Sequence, residues 1–416
     1  MHKQHTTPEP AAARPTSSPT LRVKVIVWWI LLLAGILGVL TPRLFAQDAA
    51  SLSRPQARST VMPLTDVAPE TFRALSGTDT GSSIPLWDYN VTSPLNGHAY
   101  SGSMVGRSPF YHGARTTEIP AIVVPLIIRF SDGSVFDPTA TDSNCSPGGT
   151  PLDLTQNSPI FVPVDITMNG VDMGVTQYTD AFQRANFWTN VSVTGDRYHT
   201  MLSPVTTLAP VTVNVPAASG SVFSDTQYGG CGGIIGVMNI SWFDPYVRGT
   251  ILPGLAGSGV NPAVLPMLLM KNVVMVDGTP TLDGNCCIVS YHGAFGSPLQ
   301  TYSPVDYDTS GIFIGLADIN AITHEVAEWM DDPTGTNPTP PWGHTGQVTG
   351  CQSNLEVADP LSDNEFPPLL GSNGFAYHPQ ELAFFSWFFR QSPSIGAGDT
   401  YSDNGTFAQD AGAACM

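Results

Sequence analysis

The stretch Thr323-His324-Glu325-Val326-Ala327-Glu328-Trp329-Met330-Asp331-Asp332-Pro333 constrains this chain more than any other. It reads as one helix: Asp318 is a fitting N-terminal cap, and Pro333 should stop the helix near Asp331 or Asp332. At about 100° per residue, Ile319, Ile322, Val326, Trp329 and Met330 gather on one side, which predicts a face packed on a core. His324 and Glu328 fall nearly opposite, four residues apart and therefore on one face, where an imidazole nitrogen and a carboxylate oxygen can close on a single ion. Small Ala317 and Ala321 share that face and would let a substrate or another part of the chain come close. The plainer expectation for such a face is solvation, as on any amphipathic surface helix.

The scarcity of glutamate favours chemistry over solvation. The 416 residues include eight, at positions 9, 70, 118, 325, 328, 356, 365 and 381, with none between Glu118 and Glu325. Random placement of glutamate one and four residues after each of the nine histidines would produce about 0.003 such matches. A net charge of -18 excludes nucleic acid as a partner, since its phosphates would be repelled. With 40 glycines, 37 prolines and only 12% charged residues, the chain should be rich in loops and strands.

Residues 1–22 have the Thr, Pro, Ala and Ser content of a disordered tail. Residues 23–46 hold an uninterrupted apolar run from Val25 to Leu40, short against the roughly 20 residues that span a bilayer, and Ala46 offers a small residue for cleavage. This is read as an export signal, which places the protein outside the cytoplasm, secreted or at the cell surface. The rival reading is an uncleaved membrane anchor, favoured by Arg43 and the long leading tail. Residues 47–80 suit a linker or pro-segment, and residues 81–416 are expected to form one α+β domain.

Within that domain, Ile119 to Phe130 and Val135-Phe136 read as a strand, a turn and a return strand. Further strands are expected at 160–168, Val205–Val215, Met267–Met275, Cys287–His292 and Leu299–Tyr302, the last three leading into the central helix. A helix is expected over Gln177–Trp188, and Glu381–Phe389 reads as a core helix. Gly229–Gly233 lacks the frame of a phosphate loop and reads as a turn. Six cysteines in an exported chain predict disulfides, with the adjacent Cys286 and Cys287 expected to reach different partners or leave one free, because a bond between neighbours is strained. Asp306/Asp308 and Asp331/Asp332 could take calcium, but short acidic pairs more often cap or solvate.

A catalytic zinc site needs three protein ligands and an open position. The next glutamate after the helix is Glu356, 32 residues beyond His324, in Asn354-Leu355-Glu356-Val357-Ala358-Asp359. On the His324-Glu325…Glu328 helix and this Glu356…Asp359 segment, the chain resembles the gluzincin branch of the zincin metallopeptidases, over under a tenth of its length. The run of His-Glu…Glu with a following Asp-Pro also resembles one found in little-characterised secreted bacterial proteins. The resemblance implies a zincin-like fold, with a strand-rich N-terminal part and a mixed sheet packed on the active-site helix. It makes His324, Glu328 and Glu356 ligands of Zn2+ or another divalent metal, Glu325 the base that activates water, and Asp359 the outer partner that orients His324. Two departures stand out: Glu328 occupies the position of a second histidine, and the Glu356-to-Asp359 spacing is one residue shorter than usual.

These expectations describe an exported metal-dependent hydrolase, most simply a peptidase acting on a peptide or protein. His344, His378 and Tyr377 are candidate donors to the developing oxyanion, and His344 or His292 could replace Glu356 as third ligand. The alternative is a non-catalytic secreted or surface-anchored binding protein that retains the zincin-like fold. No G-x-S-x-G sequence points to a serine hydrolase.

Overall fold

The computed structural model describes residues 54–415 apart from 63–82, 112–114, 143–144, 147, 195–196, 229–231, 284–285 and 411–414. The tail, the apolar run and most of the Gly229–Gly233 turn therefore lie outside the described residues. Among the described residues, no helix is long and apolar enough to cross a membrane. One compact unit extends from Arg54 to Met416.

Its architecture is mixed α+β, dominated by an eleven-stranded sheet. The main path runs Gly220–Ser224, Ile234–Asn239, Val273–Val276, Ile288–Phe295, Gln300–Tyr307, Leu265–Lys271, Arg115–Arg129 and Val135–Phe136. The middle strands are covered on both faces: Leu265–Lys271 and Val273–Val276 read as apolar runs without alternation, and Gln300–Tyr307 is buried throughout although it carries Gln300, Thr301, Ser303 and Asp306. Leu265–Lys271 is parallel to both neighbours, with Leu265 opposite Ala121 and Met267 opposite Ser303. Ile288–Phe295 is antiparallel to Gln300–Tyr307, with Ser290 opposite Val305.

The expected hairpin is present, with Ile128 opposite Phe136. The expected single strand at Met267–Met275 is instead two strands. Asn272, at φ 52°, breaks the run, and its Oδ1 accepts from Thr309 N at 2.7 Å. The chain beyond it pairs with Ile234–Asn239, a different neighbour from that of Leu265–Lys271. Val205–Val215 is likewise divided, into Tyr198–Thr207 and Val211–Asn214. Part of the expected linker is structured: Arg58–Val61 adds a parallel strand along Ile288–Phe295, with Val61 opposite His292.

The central helix spans Asn320–Asp331. Asp318 is not its capping residue, which is Ile319 with no side-chain cap. Asp318 sits one position earlier at φ 37°, where its Oδ1 accepts from Ile319 N and His378 N. The helix ends as the sequence predicts, with Asp332 following and its carboxylate accepting from Thr336 N at 2.9 Å and Asn337 N at 2.8 Å. Ile319, Ile322, Val326, Trp329 and Met330 join one core cluster with Ile119, Val123, Met267 and Tyr307 of the sheet.

The opposite helix face is not solvated, because every residue from Asn320 to Asp331 is buried. A second layer covers it, built from residues 355–361 and the aromatic segment Phe384–Phe389, which share a cluster with Ala327. That segment is buried throughout but helical only at Phe385–Phe388. The helix is therefore clamped between the sheet and a C-terminal layer, and any polar group on it must find its partner inside the protein.

The Tyr178 hydroxyl ties this layer together, within hydrogen-bond distance of both Gln380 O and Asp403 Oδ2, one of which accepts its single proton. The Tyr178→Phe substitution should lower stability by about 1–3 kcal/mol, because it removes the hydroxyl between a buried carboxyl and a buried carbonyl and leaves one of them without its partner. A lower midpoint in urea with an unchanged m value is the expected readout.

Cys351 and Cys415 form one disulfide, joining the Val348–Asn354 strand to the C-terminal end. Cys286 and Cys287 are paired with each other, contrary to the expectation of separate partners.

Candidate metal centre

His324 is fixed from behind by Gln380. Its Nδ1 lies 2.9 Å from Gln380 Oε1, and Gln380 Nε2 donates to Ala358 O at 2.7 Å, which sets the orientation of the amide. Nδ1 therefore carries the proton and Nε2 presents its lone pair forward, the tautomer a metal-binding histidine uses. Nε2 faces Glu328 Oε1 at 3.1 Å and Asp359 Oδ1 at 3.4 Å. Despite the short distance to Glu328, the alignment misses that of a hydrogen bond, and Nε2 has no hydrogen-bond partner.

The three residues offer ligand atoms that all lie within 4.8 Å of one another. Donors bound at about 2.1 Å with tetrahedral angles stand about 3.4 Å apart, so the spacings from His324 suit one ion. Asp359 is held by Gln347 Nε2 on Oδ1 and by Gln352 Nε2 on Oδ2, the latter at 2.9 Å. Glu328 Oε1 also accepts from Ala358 N and Asp359 N, both at 3.2 Å, which ties the 358–359 backbone to the helix.

The relative positions of Glu356 and Asp359 differ from the pattern the resemblance implies. Asp359 stands with His324 and Glu328, while Gln380 takes the orienting position behind His324. Glu356 is buried against Glu328, with its Oε1 accepting from Asn354 Nδ2 at 2.9 Å. The reason is local: Asp359–Leu361 is a short 3-10 turn with no helical periodicity to orient Glu356 and Asp359 alike.

A second group adjoins the first. Glu325 Oε2 lies 2.9 Å from His292 Nδ1, and Glu328 Oε2 lies 4.0 Å from the same nitrogen. His292 Nε2 is 3.1 Å from the carbonyl of Asp332, which can only accept, so Nε2 carries a proton. Glu325 Oε1 and Glu328 Oε2 are buried without hydrogen-bond partners.

The electrostatics follow from crowding carboxyl groups in a dry volume. Burial, then the charges of Glu328, Asp332 and Asp359, push Glu356 well above the usual carboxylate range. Burial and the Glu328 charge raise Asp359 to about 6. Burial alone would depress His324, but the Glu328 charge and the nearness of the Asp359 and Glu328 carboxylates outweigh it and hold the imidazole well above its ordinary value. Burial works against Glu328 too, yet His324 and His292 keep its carboxyl below the usual range.

At the end of the helix, burial raises Asp331 to about 8, despite a hydrogen bond from Gln183 at 2.6 Å. The folded state thus holds a proton that the unfolded chain, with an aspartate pKa near 3.9, has released. Asp331 contributes most below about pH 4, and its contribution falls as pH rises towards 8. The Asp331→Asn variant should therefore lose less melting temperature than wild type between pH 5 and pH 8, as scanning calorimetry can measure.

The other predicted residues lie in different surroundings. His378 Nδ1 is paired with Asp318 at 2.6 Å, and Tyr377 donates to Leu154 O at 2.9 Å. His344 lies 3.6 Å from Cys351 Sγ, beside a disulfide whose sulfurs are bonded to each other and are not thiolate ligands. A narrow cleft reaches His324, lined among others by Arg58, Ser59, Asn320, Gln347 and Gln380. Asn320 Nδ2 is a buried donor with no partner beside this cleft, a position the sequence reading did not single out. Gln380 was also missed; glutamine in a loop carries no periodic or spacing signal.

Compared with family models, curated proteins and solved structures, the chain matches none.

Proposed function

We propose that the protein is an exported metal-dependent hydrolase acting on peptide bonds, with His324, Glu328 and Asp359 holding Zn2+ or another divalent ion and Glu325 serving as the base. The observation that carries this reading is His324 Nε2, a buried nitrogen without a hydrogen-bond partner that faces Glu328 Oε1 at 3.1 Å and Asp359 Oδ1 at 3.4 Å. A buried nitrogen left unsatisfied is costly, and two carboxylate oxygens at ligand spacing from it favour a cation between them. A bound divalent ion would polarise the scissile carbonyl and make water a stronger acid.

The chain's own residues divide the remaining work. Gln380 orients His324, and the paired glutamines 347 and 352 hold Asp359. Glu325 Oε1 is the free acceptor for a proton from the attacking water, while Oε2 is anchored on His292. In this reading Asn320, on the cleft wall with a buried and unpartnered Nδ2, would donate to the developing oxyanion. Zincin-like organisation and export remain part of this proposal, resting on the helix motif and the apolar run at residues 25–40.

A non-catalytic binding role is the second reading. It is favoured by access: His324 is only 2% exposed, and the cleft is small for a peptide. Elemental analysis of the purified protein, before and after zinc titration, tests the centre itself, and less than one bound ion per chain would sink both metal and hydrolase. Bound metal without turnover of a fluorogenic peptide library would favour the binding role.

A further inference from the structure

We infer that the centre takes a second divalent cation, held by His292 Nδ1, Glu325 Oε2 and Glu328 Oε2, so that the Glu328 carboxylate bridges two ions. The inference rests on the first position at His324, Glu328 and Asp359 being a metal site.

The two imidazoles are arranged alike. Each commits one nitrogen to a neutral oxygen, Gln380 Oε1 for His324 and Asp332 O for His292. Each then turns its other nitrogen towards two carboxylates. An imidazole lone pair facing a carboxylate oxygen is repelled unless something positive lies between them. The backbone carbonyl behind His292 is also the kind of outer partner that fixes a metal-binding histidine.

Glu328 faces both groups at once. Its Oε1 belongs to the His324 side, with the amides of Ala358 and Asp359, whereas Oε2 is directed to the His292 side and has no hydrogen-bond partner. In each group the candidate donor atoms lie within 4.8 Å of one another, and Glu328 is the member they share. A shared carboxylate is how paired ions are held about 3.5–4 Å apart in hydrolytic centres.

Charge points the same way. Glu325, Glu328 and Asp359 are all buried here, and one divalent ion offsets two of three formal negative charges. Uncompensated buried carboxylates cost several kcal/mol each. The second ion leaves Glu325 Oε1 free, so the carboxylate still has an oxygen to accept a proton. The competing explanation is a proton on His292 Nδ1, shared with Glu325 across 2.9 Å.

The test uses the full chain, stripped with a chelator and reloaded with Mn2+ or Zn2+, with bound metal counted by elemental analysis. Wild type should hold two ions per chain, and His292→Gln and His292→Ala should each hold one. The Mn2+-loaded wild type should give the electron paramagnetic resonance spectrum of a coupled pair, and either His292 variant that of isolated Mn2+. One ion in wild type, or two retained in both folded His292 variants, would overturn the second site while sparing the first. No ion in wild type would overturn the first position, and the hydrolase with it.

Discussion

Replacing Glu325 by glutamine is expected to slow hydrolysis of a fluorogenic peptide library by about 10²–10⁴-fold, the usual contribution of a positioned general base. The ion at His324, Glu328 and Asp359 should stay bound, because Glu325 lies outside that group. Glutamine keeps the shape of the side chain and a carbonyl oxygen to face His292 Nδ1, which Glu325 approaches to 2.9 Å. What it removes is the ability of Oε1 to take a proton. Turnover and bound metal should be measured on the same sample; unchanged turnover with metal in place would show that Glu325 is not the base.

The His324→Ala variant should lose the ion at that position and about 3–5 kcal/mol of stability, the scale seen when one partner of a buried charged group is removed. Glu328 and Asp359 would then face each other across the gap with no imidazole between them. The effect in chelated protein has a definite pH signature. His324 is raised well above its ordinary value in the folded state, chiefly because the Glu328 charge and its neighbours overcome burial. Its stabilising contribution is fully present below the unfolded pKa of about 6.5 and is lost as pH rises through the folded value. Denaturant melts of chelated wild type and variant should therefore differ most at acid pH and converge in alkali; a gap that widens with pH would contradict the assignment.

Both predictions depend on a helix whose polar face was legible in the sequence but whose surroundings were not. The spacing of His324, Glu325 and Glu328 implies where they point, since rotation along a helix is a local property. The same periodicity named Ile319, Ile322, Val326, Trp329 and Met330 as the packed side, and all five lie in one core cluster. Periodicity could not say whether the other side met water or protein. A layer formed by residues 355–361 and the C-terminal aromatics buries it, and that burial gathers four carboxyl groups away from water.

The further partners of the helix came from segments with no shared local rule. His292 arrives on a strand, Asp359 on a 3-10 turn and Gln380 on an irregular segment, from 32 residues before His324 to 56 after it. The strand Arg58–Val61 was hidden in the same way, since four residues in a Ser- and Pro-containing stretch carry too little alternation to distinguish them from linker. The sequence by itself determined the helix, its apolar side and the three polar side chains on its other face, because those depend on bonds within a few turns. The tertiary structure alone decided that Asp359 and His292 stand where they do and that Gln380 backs His324, because those contacts depend on how distant segments close over the helix.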